Sequence, residues 1–167
     1  MHGYEGPRWI PVAAAVLAVL AALSGFVSNL RATAAVIEKN DAIVAVSRAA
    51  DTWSEYEAER IKYYVYQSQI DGGNERPKLR QTAAREAKKS PPIAARARAY
   101  EHDADEHNRA SEHVLAQHET LEVATTLFEV AIVVVSISAL VGSRLLHIVA
   151  AVAAAIGLAV FFAGLLI

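Results

Sequence analysis

The chain contains no cysteine, which removes a disulfide framework, a thiol nucleophile and a thiolate metal site together and leaves the redox compartment open. Glycine is scarce, eight in 167 residues, and no stretch has the pattern of a phosphate-cradling loop or a G-x-S-x-G elbow. An excess of one charge is also missing. The formal net charge is −2, so nothing in the balance points to nucleic acid. The six histidines include no H-E-x-x-H arrangement. With no enzyme signature, no cofactor motif and no metal motif, the expectation is a non-enzymatic protein that carries no cofactor.

What is present is a segregated pattern. Nearly all charge lies between Arg31 and Glu122, and the chain on either side is apolar. After a tail of residues 1–8, the run at 9–30, WIPVAAAVLAVLAALSGFVSNL, is about the length a helix needs to cross a bilayer, with Trp9 placed to anchor one interface. Its n-region has only Arg8 opposed by Glu5, so an uncleaved span is expected rather than a signal peptide. Two further spans, 123–143 and 145–167, meet at Ser143 and Arg144 and read as a tight transmembrane hairpin. Arg8 and Arg144 then share one side, cytoplasmic by the positive-inside rule, and the polar insert lies on the other.

The insert, 31–122, reads as helical. No Pro or Gly occurs from Arg31 to Ile70, and Val36, Ile43, Val46, Ala50 and Trp53 recur at heptad-like spacing before the stripe drifts to Tyr56, Tyr63 and Ile70. DGGNERPK breaks the helix, and a tip loop over 71–90 is expected, with Ser90 as N-cap and Pro91 at the first position of the next helix. From there Ile93, Ala97, Tyr100, Ala104, His107, Ser111, Val114, His118, Leu121, Thr125 and Phe128 alternate spacings of four and three. The fold class expected is an all-α membrane protein. Its three transmembrane helices would carry a long antiparallel, coiled-coil-like helical-hairpin stalk between the first and second, with Pro91 to Glu122 standing roughly 45 to 50 Å tall.

Two helices with one thin apolar stripe each bury little, so self-association or a larger membrane protein complex is expected, with membrane lipid as the other partner. Small residues on the spans suggest where helices approach: Ala21 with Gly25, Ser138 with Gly142, and a ridge of Ala151, Ala155, Ala159 and Ala163. Between Glu75 and Arg98 eight cations outweigh two acids, giving +6, while 101–122 carries −6. The basic tip, Arg76, Lys78, Arg80, Lys88 and Lys89, is a candidate contact for an acidic surface. Among the histidines, His102 and His113 lie three turns apart, as do His107 and His118, too far for one ion, and no metal site is expected. His107 and His118 occupy the seam instead, where protonation is expected to load charge into the interface and weaken assembly as pH falls.

Glu129 is a single carboxyl inside TLFEVAIVVVSISAL. A carboxylate near a helix centre in hydrocarbon costs about 2.5 to 3.5 kcal/mol on insertion scales. Ser24 and Ser28 of the first span fall at matching depth, and the expectation is that Glu129 faces the bundle interior, hydrogen-bonded to one of them or to a copy of itself.

The order of one span, then AADTWSEYEAERIK at 49–62, a helical middle and a terminal hairpin beginning FEVAIVVVSISAL resembles the bacterial family called domain of unknown function 4337. Asp51, Trp53, Tyr56, Ala58, Ile61 and Lys62 carry the likeness. The resemblance implies a small bacterial membrane protein and supplies no activity; with the charge asymmetry of Arg8 and Arg144, the expected location is the inner membrane with a periplasmic stalk. The function expected is an oligomeric scaffold or accessory subunit of a membrane complex. The alternative is a small proton or cation channel or transporter component that uses Glu129.

Overall fold

A computed structural model describes residues 9–73 and 76–167; the tail at 1–8 and tip positions 74 and 75 lie outside the described residues. Three helices follow one another, α1 Trp9–Asp71, α2 Pro77–Val141 and α3 Arg144–Leu166, and no strand occurs among the described residues. Each is long and apolar enough over part of its length to cross a membrane. The chain divides into two compact units, one made of residues 1–36 with 111–167, the other of 37–110.

α1 runs unbroken because its one proline falls at its very start. Pro11 sits in the first turn, where an N–H has no intrahelical acceptor. The helix stops at Gly72 and Gly73, whose N–H groups close onto the carbonyls of Ser68 and Ile70 at 3.0 Å each, with Gly73 at φ +90. The break is far shorter than the loop expected over 71–90, since α2 already begins at Pro77 and continues through Pro91 and Pro92. KLRQTAAREAKK, at 78–89, is composed almost entirely of strong helix formers, and Ala83 and Glu86 are buried. Propensity plus packing therefore outweighs the two N–H groups the prolines lack. Ser90 is thus inside the helix and caps nothing; its hydroxyl is buried without a partner.

In the unit of residues 37–110, α1 contributes Ala42, Ala45, Ala49 and Thr52 and α2 contributes Ile93, Ala94, Ala97 and Ala104 as buried residues. Cross-links between the two helices run in opposite order along them: Lys39 Nζ to Asn108 Oδ1 at 2.8 Å, Trp53 Nε1 to Glu101 Oε1 at 2.8 Å, and an ion pair of Glu55 with Arg96. Tyr56, Tyr100 and His107 are half-buried, as seam positions should be. The α1 stripe read from sequence is displaced, however. Ile43 and Val46 are 59% and 53% exposed, and Ala50 is exposed too. Small side chains let the backbones approach closely, so the alanine face pairs and the bulkier residues are left outside.

In the other unit the α2 seam keeps its expected line, with Ser111, Leu121 and Phe128 buried and Val114, His118 and Thr125 half-buried, while Ala124, beside that line, is buried as well. Val36 of α1 is 59% exposed, and its neighbour Ala35 is the buried residue. One apolar cluster joins Ile10, Val135 and Ala150; another joins Ala21, Ala124 and Phe128. α3 is seated by glycine. A Cβ at Gly157 would meet Phe128 Cε1 at 3.1 Å, and one at Gly164 would meet Leu121 Cγ at 3.1 Å. The ridge expected to pack, Ala151, Ala155, Ala159 and Ala163, is exposed, because the buried face of α3 is the one bearing Ala150, Gly157 and Gly164. Ser138 is fully buried, whereas Gly142 is exposed and serves the turn, at φ +69 with its N–H on Ser138 O at 2.9 Å.

Candidate functional site

Polar side chains in the unit containing the apolar ends gather where α1 meets α2. Ser24 Oγ donates to the Leu121 carbonyl at 3.0 Å and accepts from Thr125 Oγ1 at 2.9 Å. One turn on, Ser28 Oγ donates to the His118 carbonyl at 3.2 Å, while His118 Nδ1 lies 3.0 Å from the Ser28 carbonyl and 2.7 Å from Ser28 Oγ. A carbonyl only accepts, so Nδ1 carries the proton. Ser111 Oγ donates to Ala35 O at 2.9 Å. These residues recur at seam positions, so each hydroxyl or imidazole reaches across rather than along its helix. The result is a ladder of reciprocal side-chain-to-backbone bonds of the kind that joins helices in apolar surroundings.

Beside the ladder opens a polar groove of about 320 Å³ lined by Gly25, Ser28, Asn29, His118, Glu122, Thr125, Thr126 and Glu129. The sequence brings Glu129 to the right neighbourhood and the wrong face. It is exposed, and no bond joins it to Ser24 or Ser28. The reason is helical phase: Ala124, Phe128, Ala131 and Val135 are the buried stripe, and Glu129 stands at its flank. Glu122 is 65% exposed at its side chain, with Oε1 3.7 Å from His118 Nε2. No group of three His, Asp or Glu residues able to hold a metal ion occurs among the described residues.

With this arrangement the chain can be set against known proteins. The family described as domain of unknown function 4337 (DUF4337) matches residues 7–167. The chain belongs to this family. No curated protein and no solved structure matches it. As a DUF4337 member it carries Trp53 and Tyr56, the residues by which its sequence resembles the family, as half-buried rings in edge contact, centroids 5.3 Å apart.

In the unit of 37–110 the charged residues also act across helices. His107 Nδ1 sits 2.7 Å from Glu38 Oε2, and its Nε2 lies 3.8 Å from Asp103 Oδ1. The Glu38 hydrogen bond, and then the charges of Asp103, Glu38 and Asp41, hold its pKa above the ordinary value against partial desolvation. At His107 the protonated ring therefore meets carboxylates rather than the apolar seam the spacing suggested.

The basic tip is partly paired. Lys89 Nζ reaches Glu86 at 2.8 Å and Glu59 at 3.7 Å, and its pKa is raised, first by the Glu86 bond. Glu59 bonds Lys62 at 2.7 Å, which is the first cause of its lowered pKa. Arg76 precedes α2, while Lys78, Arg80 and Lys88 lie on it; Lys78 and Lys88 are exposed. Sequence reading missed Gly157, Gly164, Glu38 and the Glu59–Lys89 ion pair, since each matters through a partner far away in the chain.

Proposed function

We propose that this DUF4337 protein is a non-enzymatic integral membrane protein that works as an oligomeric scaffold or as an accessory subunit of a larger membrane complex. In this reading it lies in the bacterial inner membrane. Residues 31–122 form an antiparallel, coiled-coil-like stalk on the periplasmic side. The observation that carries it is how little of its apolar surface the chain covers. In the most apolar eighteen-residue window of α1, α2 and α3, 22%, 28% and 17% is buried. Such helices need lipid and protein neighbours, and the ladder of Ser24, Ser28, His118 and Thr125 supports a chain whose polar groups hold helices together rather than turn over a substrate. Purification in mild detergent, with the mass of the particle measured and co-purifying proteins identified, should give a discrete homo-oligomer or a stoichiometric larger complex. A monomer without companions would overturn the reading.

One observation favours a second reading, a small proton or cation channel or transporter component. Glu129 is a carboxyl on an apolar helix with no hydrogen-bond or ion-pair partner among the described residues, in a groove that also holds Glu122 and His118. Proton or cation flux in reconstituted vesicles, abolished by Glu129→Gln, would move the assignment to conduction.

A further inference from the structure

We infer that a groove between α1 and α2 within residues 37–110 is a binding site for a small molecule that carries a phosphate group, whatever the oligomeric state of the chain. The groove, of about 500 Å³, is lined by Tyr56, Arg60 and Tyr63 of α1 and by Ser90 and Arg98 of α2, and its volume is in the range of small-molecule sites. The three α1 residues share one face at spacings of four and three. On α2 the other lining residues, Ala87, Pro91 and Ala94, are short beside them, and that difference in reach leaves the space.

No carboxylate lines the groove among the described residues. Of the acids near these positions in sequence, Glu55 pairs with Arg96, Glu59 with Lys62 and Lys89, and Glu86 with Lys89, while Glu101 accepts from Trp53 Nε1. Arg98 makes no hydrogen bond or ion pair among the described residues. Arg60 is held by two phenols, Nη1 donating to Tyr56 Oη at 3.1 Å and Nη2 to Tyr64 Oη. Those bonds fix the guanidinium without neutralising it, and it keeps further N–H groups to donate. Ser90 is the third donor. It is 8% exposed, and its hydroxyl is buried with no partner, whereas Thr52, Ser54 and Thr82 in the same unit each bond the carbonyl one turn back, at 2.7, 3.0 and 2.9 Å. Two guanidinium groups lacking a carboxylate and a buried hydroxyl lacking an acceptor thus share one groove. A phosphate monoester suits them better than a carboxylate, because it brings about −1.5 to −2 of charge near pH 7 against two cations, and three acceptor oxygens for three donors. The rings of Tyr56 and Tyr63 add flat walls for the body that bears it. Ionised residues at this density keep the unit in water, so the ligand comes from the aqueous phase rather than the bilayer.

The full chain in mild detergent is titrated by calorimetry with phenyl phosphate, inorganic phosphate and benzoate. Phenyl phosphate should bind about tenfold or more tighter than inorganic phosphate, which has no body for the tyrosine walls, and than benzoate, which has the ring but a single charge. Arg98→Gln, at an exposed position where folding is not at stake, should weaken phenyl phosphate about tenfold or more, and Arg60→Gln likewise. Lys88→Gln, which removes an exposed cation of α2 that does not line the groove, should leave the affinity unchanged. Ser90→Ala should weaken binding with no fall in the thermal melting of helical signal, because the hydroxyl bonds nothing within the chain. No binding of phenyl phosphate up to about 10 mM, an equal loss from Lys88→Gln and Arg98→Gln, or benzoate or inorganic phosphate matching phenyl phosphate would overturn the proposal. None of these measurements depends on particle mass, so the site and the oligomeric reading fail separately.

Discussion

Glu129 and Leu121 stand two turns apart on α2, one exposed and the other with no accessible surface, and their substitutions should behave accordingly. Leu121→Ala should destabilise the α1–α2–α3 contact by about 2 to 5 kcal/mol, as a large-to-small change in a packed site does. Leu115→Ala, at a position 43% exposed, should stay within about 0.5 kcal/mol. Denaturant titration in detergent measures both. Glu129→Gln should leave assembly intact if the chain is a scaffold, because the carboxyl bonds nothing within it. His107 gives the pH dependence. Its raised pKa means that the stabilisation from Glu38, Asp103 and Asp41 is complete below the ordinary value of about 6.5 and is lost as pH rises through the raised one. Thermal melting of helical signal should therefore occur at higher temperature at pH 6 than at pH 8, and His107→Gln should flatten that difference. A chain less stable at pH 6 would restore the opposite sign that seam position alone suggested.

At the scale of elements, the helices differ in how openly the sequence displays their contacts. α2 shows its seam plainly because apolar and small residues alternate by four and three while acids and bases fill the other faces; Ala97, Ala104, Ser111 and Leu121 are all buried as that spacing requires. α1 carries two apolar faces at once. Hydrophobicity points to Ile43 and Val46, but close approach favours Ala42 and Ala45, and only the presence of α2 decides between them. α3 repeats the lesson. Its alanine ridge is conspicuous in sequence, and two single glycines set the contact. Gly157→Val and Gly164→Val should each cost about 1 to 3 kcal/mol through overpacking against Phe128 and Leu121. Ala159→Val, on the exposed ridge, should be nearly silent in the isolated chain; detergent melting curves distinguish them.

For the whole molecule, the three apolar helices and the short Gly142–Ser143 connection require the ends of α1 and α2 nearest Gly73 to lie across the membrane from Ser143 if all three span it. Single reporter fusions near Gly73 and near Ser143 should report opposite sides, Gly73 outside the cytoplasm. Matching signals would remove one span; a cytoplasmic Gly73 would invert the orientation and keep the count. The division into two compact units follows the charge pattern: buried hydroxyls and carbonyls join the helices in one, and the carboxylates of Glu38, Glu55 and Glu59, paired with His107, Arg96 and Lys89, join them in the other.

By itself the sequence determined the all-helical class, the three apolar segments, the tight turn before Arg144, the α2 seam and the family, because each rests on local composition or on a period within one helix. The tertiary structure decided which face of α1 pairs, that α2 begins at Pro77 and passes through Pro91 and Pro92, that glycine rather than alanine seats α3, and that Glu129 stands outside while Glu38 meets His107. These depend on how closely two backbones can approach and on what stands opposite, and such distances belong to pairs of helices, which no periodicity within a single one contains.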